Sequence, residues 1–480
     1  MNKLLFVIVF YSCSLWAGTI SELNSFNQYK KTQEIELSLE DAIALALRNN
    51  RSIKSAYLDR VAQKFDLSVE QDRFNPKINI ITNVYSKNNN NDKSSSLGFS
   101  PNASLLSAYG TRFSLSWSMF SEHAKNNKRS RNDGANFYII QPLLKGGGRK
   151  IATSPLVMAQ LAEQGNKLNL KNNVAQTITN VIYSFRELVR AQEQVIISKS
   201  ALERAEKLIK TNRELINAGR MAEYEIIQTE AEVVNQELAL ENAINQLDNN
   251  RMELLRLLAL DQETLIIAKE TIKIEKVSID YAQAITKAKL MQPRYLIELI
   301  IKEQIDLELA VAKNNKLWDL SIEAGAGQSK QWQQLNSNPT SKGWDNYIGI
   351  RLEIPIGDLS RKQGEVRALV NIDKHKLQME ETIQVMEKDI ANAVRNINTR
   401  WRQYQIALKA LALSHKKLEF EQEKLKVGRS SNFQVLSFEA DLRNAEVALL
   451  ETRIAYLNAQ ADLDYIVGTT LESWDIALYD

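Results

Sequence analysis

Cysteine and proline are scarce in this 480-residue sequence, which has one cysteine and seven prolines. Because Cys13 is the only cysteine, the chain cannot form an internal disulfide. No proline lies between Pro155 and Pro293 or after Pro355, so long uninterrupted helices are allowed in both stretches. Beyond the N-terminus, no stretch approaches the roughly 18 consecutive apolar residues of a membrane helix. A part that spans a membrane is therefore expected to be a β-barrel.

An excess of one charge sign is also missing. The 61 basic and 58 acidic residues leave a formal charge of +3, and no basic block stands out, so nucleic acid is not an expected partner. His123, His375 and His415 are isolated in sequence and indicate neither a metal cluster nor a catalytic pair. The three glycines at 146–148 lack P-loop spacing and predict a turn. We expect no enzyme activity, no metal and no cofactor.

The N-terminus has the layout of a secretory signal. Lys3 precedes an apolar run that ends at Phe10, and cleavage is predicted after Ala17. Removal of residues 1–17 would also remove Cys13. The alternative is a lipoprotein that keeps Cys13 as its lipidated first residue, although the bulky residues before that cysteine match such a site poorly.

Two ungapped matches between the halves of the chain indicate an internal repeat. Segment 39–46 aligns with segment 281–288, in a register that continues into the strand regions, and the Gly-Arg pair at 219–220 aligns with that at 428–429. The predicted divisions are 1–17 (signal peptide), 18–36 (N-terminal segment), 37–265 (repeat 1), 266–470 (repeat 2) and 471–480 (C-terminal tail).

Most of each repeat has helical periodicity. Apolar residues step by three and four along narrow seams, which predicts coiled-coil packing. These seams are Val174, Ile178, Val181, Phe185 and Leu188, then Ile390, Val394, Ile397, Trp401 and Tyr404. Each repeat is predicted to hold a helical hairpin, with an arm of about 100 Å leading to a tip near 219 or 428. The returning arms are shorter, and one further helix per repeat, near 42–74 and 283–316, is expected to make up the difference.

Period-two alternation predicts strands within 77–142 and 319–356, each with one apolar and one polar or small face. Polar loops at 87–96, 121–135 and 328–344 separate them, as expected of extracellular loops of a barrel. Two strands per repeat give four per chain, which cannot close a barrel, so several chains are expected to share one. Extra β-like sequence at 97–142 leaves an added hairpin outside the barrel as an open alternative.

An ordered set of motifs covers about 37–470. It comprises LSLEDAIALAL at 37–47 with Asn50, Pro76, QPLLKGGGR at 141–149, IPIGD at 354–358, AGR at 218–220 and VGR at 427–429. Together these motifs resemble the TolC-like outer membrane efflux protein family, also called outer membrane factors. The combination is specific, whereas each motif alone is weak.

The resemblance implies a mainly α fold with a β-barrel part: a long coiled-coil α-helical barrel that extends into the periplasm below a 12-stranded transmembrane β-barrel shared by a homotrimer. It implies the exit channel of a tripartite efflux or type I secretion system in the cell outer membrane. The implied partners are a periplasmic adaptor, an inner-membrane pump or ABC transporter, and outer-membrane lipid.

The resemblance also assigns candidate residues at the hairpin tips, which in this family dock on the adaptor and close the tunnel. The candidates for docking are Gly219, Arg220, Gly428 and Arg429, and those for the periplasmic gate are Glu225, Arg429, Gln434 and Ser437. Gln434 and Ser437 occupy the positions of the family's aspartate pair, so an acidic ring is in doubt. One hypothesis pairs Glu225 with Arg429 between neighbouring hairpins; solvated tip charges without a gating role are the alternative.

Two rival functions remain at the level of sequence. A periplasmic coiled-coil adaptor or structural protein without a pore would have one helical hairpin flanked by β domains, whereas this chain is predicted to have two hairpins with strands between helices. A soluble helical enzyme would need a polar constellation that the sequence does not offer.

Overall fold

The computed structural model describes residues 34–88, 93–124, 129–269, 274–333 and 341–478, and the predicted signal peptide lies outside them. The helices are α1 (Leu39–Asn49), α2 (Arg51–Asp72), α3 (Arg149–Ala152), α4 (Ser154–Asn217), α5 (Glu225–Leu258), α6 (Tyr281–Met291), α7 (Pro293–Asn315), α8 (Ser360–Lys426), α9 (Asn432–Val467) and α10 (Thr470–Ser473). The strands are β1 (Ile35–Leu37), β2 (Lys77–Asn88), β3 (Lys93–Leu106), β4 (Arg112–Ala124), β5 (Arg129–Pro142), β6 (Ile266–Ala268), β7 (Asp319–Gln333) and β8 (Ser341–Glu353). The described chain is therefore mostly helical, with one large sheet.

The large sheet contains six strands in the order β2-β3-β4-β5-β7-β8, all antiparallel. The expectation of four strands per chain is wrong, because the extra hairpin lies within this sheet. Gly110, at φ +88°, closes the turn between β3 and β4 and packs against Gly146, where an added Cβ would lie 2.5 Å from the carbonyl oxygen. Strands also extend into the segments predicted as polar loops, since their serine and asparagine side chains suit the polar face of a sheet.

The long helices form a wall of side-by-side packing. The two hairpins are α4–α5 and α8–α9, and their long arms have 64 and 67 residues, close to the predicted arms. Helices α2 and α5 pack against α4, and α4 also packs against α7 and α9. Both α7 and α9 then pack against α8. No helix among the described residues is both long and apolar enough to cross a membrane.

Each predicted short helix is in fact two helices. Asn50 ends α1 and caps α2, because its side-chain oxygen accepts hydrogen bonds from the amides of Ser52 and Ile53. In the second half, Gln292 caps α7 and Pro293 occupies the first position of that helix. The single helices expected near 42–74 and 283–316 are corrected accordingly, and the cause is local capping chemistry.

The main hydrophobic core lies midway along the wall. The α4 seam from Val174 to Leu188 is fully buried there, together with α1, the end of α5 and the small parallel pair β1–β6. The predicted turn at 146–148 is confirmed between β5 and α3. Asn314 holds this turn against α7, since its side chain accepts from the Gly146 amide at 2.7 Å and donates to the Leu144 carbonyl at 3.0 Å.

Candidate functional site: hairpin tips and a two-faced sheet

Both hairpin tips end their long helix in the same way. Gly219 and Gly428 take left-handed conformations, with φ of +67° and +74°, which a Cβ would disfavour. The amides of Arg220 and Arg429 then donate back to carbonyl groups five residues earlier, each at 2.8 Å. The Gly-Arg pair is therefore a helix-ending motif, and both arginine side chains are exposed at the turn.

The other gate candidates lie on the first turns of the returning helices. Glu225 begins α5 and is half-buried, as is Gln434 on α9, while Ser437 is exposed. Among the described residues, neither Glu225 nor Arg429 has an oppositely charged side chain within 4.0 Å. One chain alone does not form the Glu225–Arg429 pair, which stays a prediction about contacts between copies.

The second tip does carry a bonded carboxylate, at Glu421 on α8, before the glycine. Ser430 donates a hydrogen bond to it at 2.6 Å, and the ammonium group of Lys424 lies 3.0 Å away. These two contacts, Ser430 first, lower the pKa of Glu421 below its usual value. The sequence comparison with the family's gate positions missed Glu421, because it considered only residues that follow the tip glycine.

A fully buried polar cluster joins the two hairpins just behind their tips. Asn212 of α4 donates to Thr229 of α5 at 2.7 Å and to Asn432 of α9 at 2.8 Å. Asn432 also donates to the backbone carbonyl of Glu225 at 3.2 Å. All three cluster side chains are completely shielded from solvent, although the side-chain oxygen of Asn212 has no partner in this structure. The cluster fixes the start of α9 against the first hairpin.

A half-buried charge group links α4 and α9 farther along. Arg204 lies 2.9 Å from Glu439 and 3.2 Å from Glu446, and Gln422 of α8 donates to Glu439 at 3.1 Å. Burial raises the pKa of Glu439 above its usual value, because loss of hydration outweighs the attraction of Arg204 and the charge of Glu446 adds to the shift. This cluster and the asparagine cluster were missed by sequence reasoning. The sequence does show Glu, Arg and Asn residues on these helices, but only the tertiary packing shows which of them meet.

The six-stranded sheet separates side chains by chemistry. Alternation and register place one apolar set on one face, for example Leu115, Phe137 and Ile348 on β4, β5 and β8. The opposite face holds polar and small residues, for example Ser116, Asn136 and Gly327. Apolar side chains on the first face are strongly exposed; Ile348 is 80% and Ile350 is 75% exposed. A single chain in water would leave this face without a covering.

The sheet and the wall are also open at their sides. β2 and β8 are the edge strands of the sheet within the described chain, and they connect directly to α2 and α8, the outer helices of the wall. Both outer helices expose apolar stripes at helical spacing, and so does α5. On one side these residues are Leu58, Val61, Phe65, Ile227 and Val234, and on the other Leu377, Ile406, Leu413 and Phe420.

Part of the sequence matches a known protein family. Residues 42–260 match the family model described as "Outer membrane efflux protein". Over these residues the chain is similar to this family of outer membrane efflux proteins. Among the described residues, no group of three or more His, Cys, Asp or Glu side chains is arranged to hold a metal ion.

Solved structures of outer membrane channels share the fold over both halves. The Campylobacter jejuni CmeC outer membrane channel aligns with a TM-score of 0.69 at 17% identity, covering 90% of this chain and 86% of CmeC. CusC aligns with a TM-score of 0.70 at 16% identity, covering 92% of this chain and 95% of CusC. The proteases secretion protein PrtF of Dickeya chrysanthemi is 20% identical over 453 residues, covering 91% of this chain and 89% of PrtF.

Proposed function

We propose that this protein is a TolC-like outer membrane efflux protein and the exit channel of an export system, formed by three copies in the cell outer membrane, with its helical wall in the periplasm. The observation that carries the proposal is the combination of a two-faced sheet with open edges and a helical wall with open apolar sides. An open strand edge in lipid would leave backbone groups without hydrogen bonds, so the sheet needs further strands.

Identical copies can supply those strands in a closed ring. The side formed by α5, α2 and β2 would meet the side formed by α8 and β8 of the next copy, which is a heterologous contact that closes by rotation. Six strands from each of three copies give an 18-stranded barrel instead of the 12 strands that the family resemblance implied. A barrel of that size leaves an aqueous channel lined by the polar face.

We propose that each copy contains two structural repeats, one in 37–265 and one in 266–470. The element order supports this: each half has two short helices, antiparallel strands and a long helix with a shorter returning helix. The halves differ in the number of strands that they contribute to the large sheet, four from the first and two from the second.

The energy source and the cargo route would come from partners. An inner-membrane pump or ABC transporter would drive export through this channel, connected through a periplasmic adaptor at the exposed tips around Gly219, Arg220, Gly428 and Arg429. The similarity to PrtF favours a secretion system as the setting. A periplasmic structural protein without a pore is the competing function, but the exposed apolar face of the sheet argues against it.

Single-channel recording combined with native mass spectrometry tests the channel. The detergent-extracted full-length protein should have a three-chain mass and give discrete conductance steps in a planar bilayer. A one-chain mass without conductance would favour the structural alternative, and conductance from another copy number would correct the strand count.

We also propose that the tips close the channel through pairing of Glu225 with Arg429 of a neighbouring copy, alongside Gln434 and Ser437. Exposed ion pairs contribute about 0–1 kcal/mol each, and ring symmetry would repeat the pair. Glu225→Ala and Arg429→Ala channels should therefore conduct more than the wild type. Glu230→Ala is the control, because Glu230 lies 3.5 Å from Arg213 of its own hairpin. Unchanged conductance in both tip variants would leave solvated tip charges as the correct interpretation.

A further inference from the structure

The loop end of the apolar sheet face is basic. We propose that this basic rim, defined here as Arg129, Arg131, Lys330 and Lys342, binds the phosphate groups of an anionic membrane lipid. The inference rests on the proposed function, since it requires the apolar face to contact lipid. It adds a lipid-binding surface with assigned residues.

Along β7 and β8 the apolar face becomes polar and then basic toward the loop end. On β8 the residues of this face are Ile350, Ile348, Asn346, Trp344 and then Lys342, toward the loop end. Lys330 of β7 is directly opposite Lys342 in the register. Trp344 is 72% exposed and immediately precedes the lysine level, as expected for an aromatic residue at a membrane interface. The lysines therefore lie at the level where lipid headgroups would be.

The two lysines are directly opposed across neighbouring strands. Like charges in this arrangement destabilise a sheet, because their Cβ atoms are typically about 4.5–5.5 Å apart. Among the described residues, neither Lys330 nor Lys342 has a carboxylate within 4.0 Å. A phosphate group between the two ammonium groups would relieve their repulsion and satisfy both charges.

The acidic residue nearest in register is already engaged. Asp133 of β5 is opposite Lys330, but its carboxylate accepts two hydrogen bonds from Arg131, at 2.9 and 2.7 Å. The same guanidinium group lies 5.3 Å from the ring centroid of Trp332, which fixes its orientation. Asp133 therefore leaves Lys330, Lys342 and Arg129 as net positive charge on the rim.

On β5, β7 and β8 the opposite face does not share this charge at the same level. Its residues on β5, β7 and β8 at the loop end are Ser130, Asn132, Gln331 and Ser341. A general excess of basic residues at the loop end would have charged both faces of these strands. Confinement to the apolar face indicates a ligand that combines acyl chains with anionic groups, and phosphate is the group that clustered Lys and Arg side chains recognise.

Native mass spectrometry of the detergent-solubilised full-length protein can measure this binding. The probe is lipid A with two phosphates, compared with the same lipid after enzymatic removal of both phosphates. The test variant is Lys330→Gln/Lys342→Gln. The matched control is Lys87→Gln/Arg112→Gln, which removes two exposed charges from the polar face.

The wild-type protein and the control should retain the phosphorylated lipid equally. The test variant should retain it about 30-fold less strongly, the order expected for two neutralised lysines near an anionic surface. Bound lipid should also raise the Tm of the wild type more than that of the test variant. Equal retention of both lipid forms, or equal loss in control and test variants, would overturn the proposal.

Conductance separates this inference from the proposed channel. If the test variant conducts as the wild type does and retains less phosphorylated lipid, both proposals stand. If the wild type never conducts but its lipid retention depends on Lys330 and Lys342, the channel fails and the lipid surface stands. Normal conductance with unaltered lipid retention in the test variant contradicts the lipid surface alone.

Discussion

At the scale of single residues, the polar cluster behind the tips sets how firmly the hairpins hold together. Asn432→Ala should remove four hydrogen-bond contacts to α4 and α5 and leave the buried groups of Asn212 and Thr229 with fewer partners. A buried polar group without its partner costs about 1–3 kcal/mol. Hydrogen exchange should therefore accelerate at the tips, while the buried core near Leu254 keeps its protection.

The control for that variant is Asn235→Ala on the exposed surface of α5. Exposed substitutions of this kind usually change the free energy of unfolding by less than about 0.5 kcal/mol. Equal exchange at the tips in both alanine variants would mean that the Asn212–Thr229–Asn432 cluster does not restrain the hairpins.

Glu439 predicts a pH dependence of stability. Its raised folded-state pKa means that the folded chain binds this proton more tightly than the unfolded chain, so protonation stabilises the fold. This stabilisation is fully present below the ordinary value of 4.5 and is lost as pH rises through the raised pKa. The neutral variant Glu439→Gln should therefore match the wild type in Tm at pH 4 and exceed it at pH 7.

The exposed Glu237 of α5 provides the control, since Glu237→Gln makes the same chemical change on the protein surface. A Glu439→Gln variant that melts below the wild type at pH 7 would show that the Arg204 ion pair outweighs the burial of the carboxylate.

Sequence reasoning found the exposed turn residues and missed the buried polar ones, for a physical reason. Gly219 and Arg220 act through local backbone geometry, which a short motif encodes. Asn212 and Asn432 are 220 positions apart and meet only because the two hairpins pack in one particular register. Each would be an ordinary polar residue on an isolated helix.

At the scale of elements, replacing a glycine by alanine should raise or lower stability according to the backbone conformation of that glycine. Gly219→Ala places a Cβ on a left-handed residue, which costs about 1–2 kcal/mol, so Tm should fall. Gly165 lies inside α4, with no atom within 4 Å of an added Cβ. Gly165→Ala should therefore raise stability by about 0.5–1 kcal/mol. Thermal unfolding checks both, and a shift in the same direction for the two variants would contradict the assignment.

The long helices and the strands differed in how well they could be predicted from the sequence. The long helices of both hairpins followed from apolar periodicity and the absence of proline. Both signals lie within one continuous segment of sequence, so neither depends on a distant part of the chain. The strand count did not follow, because β3 and β4 are rich in serine and asparagine and resemble polar loops until sheet pairing aligns them. Sheet formation there depends on neighbouring strands that are distant in sequence.

At the scale of the whole molecule, three open surfaces point to partners outside the single chain. The edge strands β2 and β8, the apolar stripes of α2 and α8, and the exposed apolar sheet face are all features that a lone chain in water would leave uncovered. The sides of the chain fit a second copy, because each edge strand continues into the outer helix on its own side. The apolar sheet face fits lipid, because no described element packs against it.

The side-to-side contact predicts how assembly responds to charge. Leu413 is 68% exposed on the outer helix α8, and Leu413→Glu would place an uncompensated charge in the proposed contact between copies. Ile196 is 60% exposed on the inner helix α4, so Ile196→Glu makes the same chemical change away from that contact. Native mass spectrometry should show chiefly single chains for Leu413→Glu and the three-chain mass for Ile196→Glu. The reverse pattern would mean that copies meet through α4, and the sides of the wall would then need another occupant.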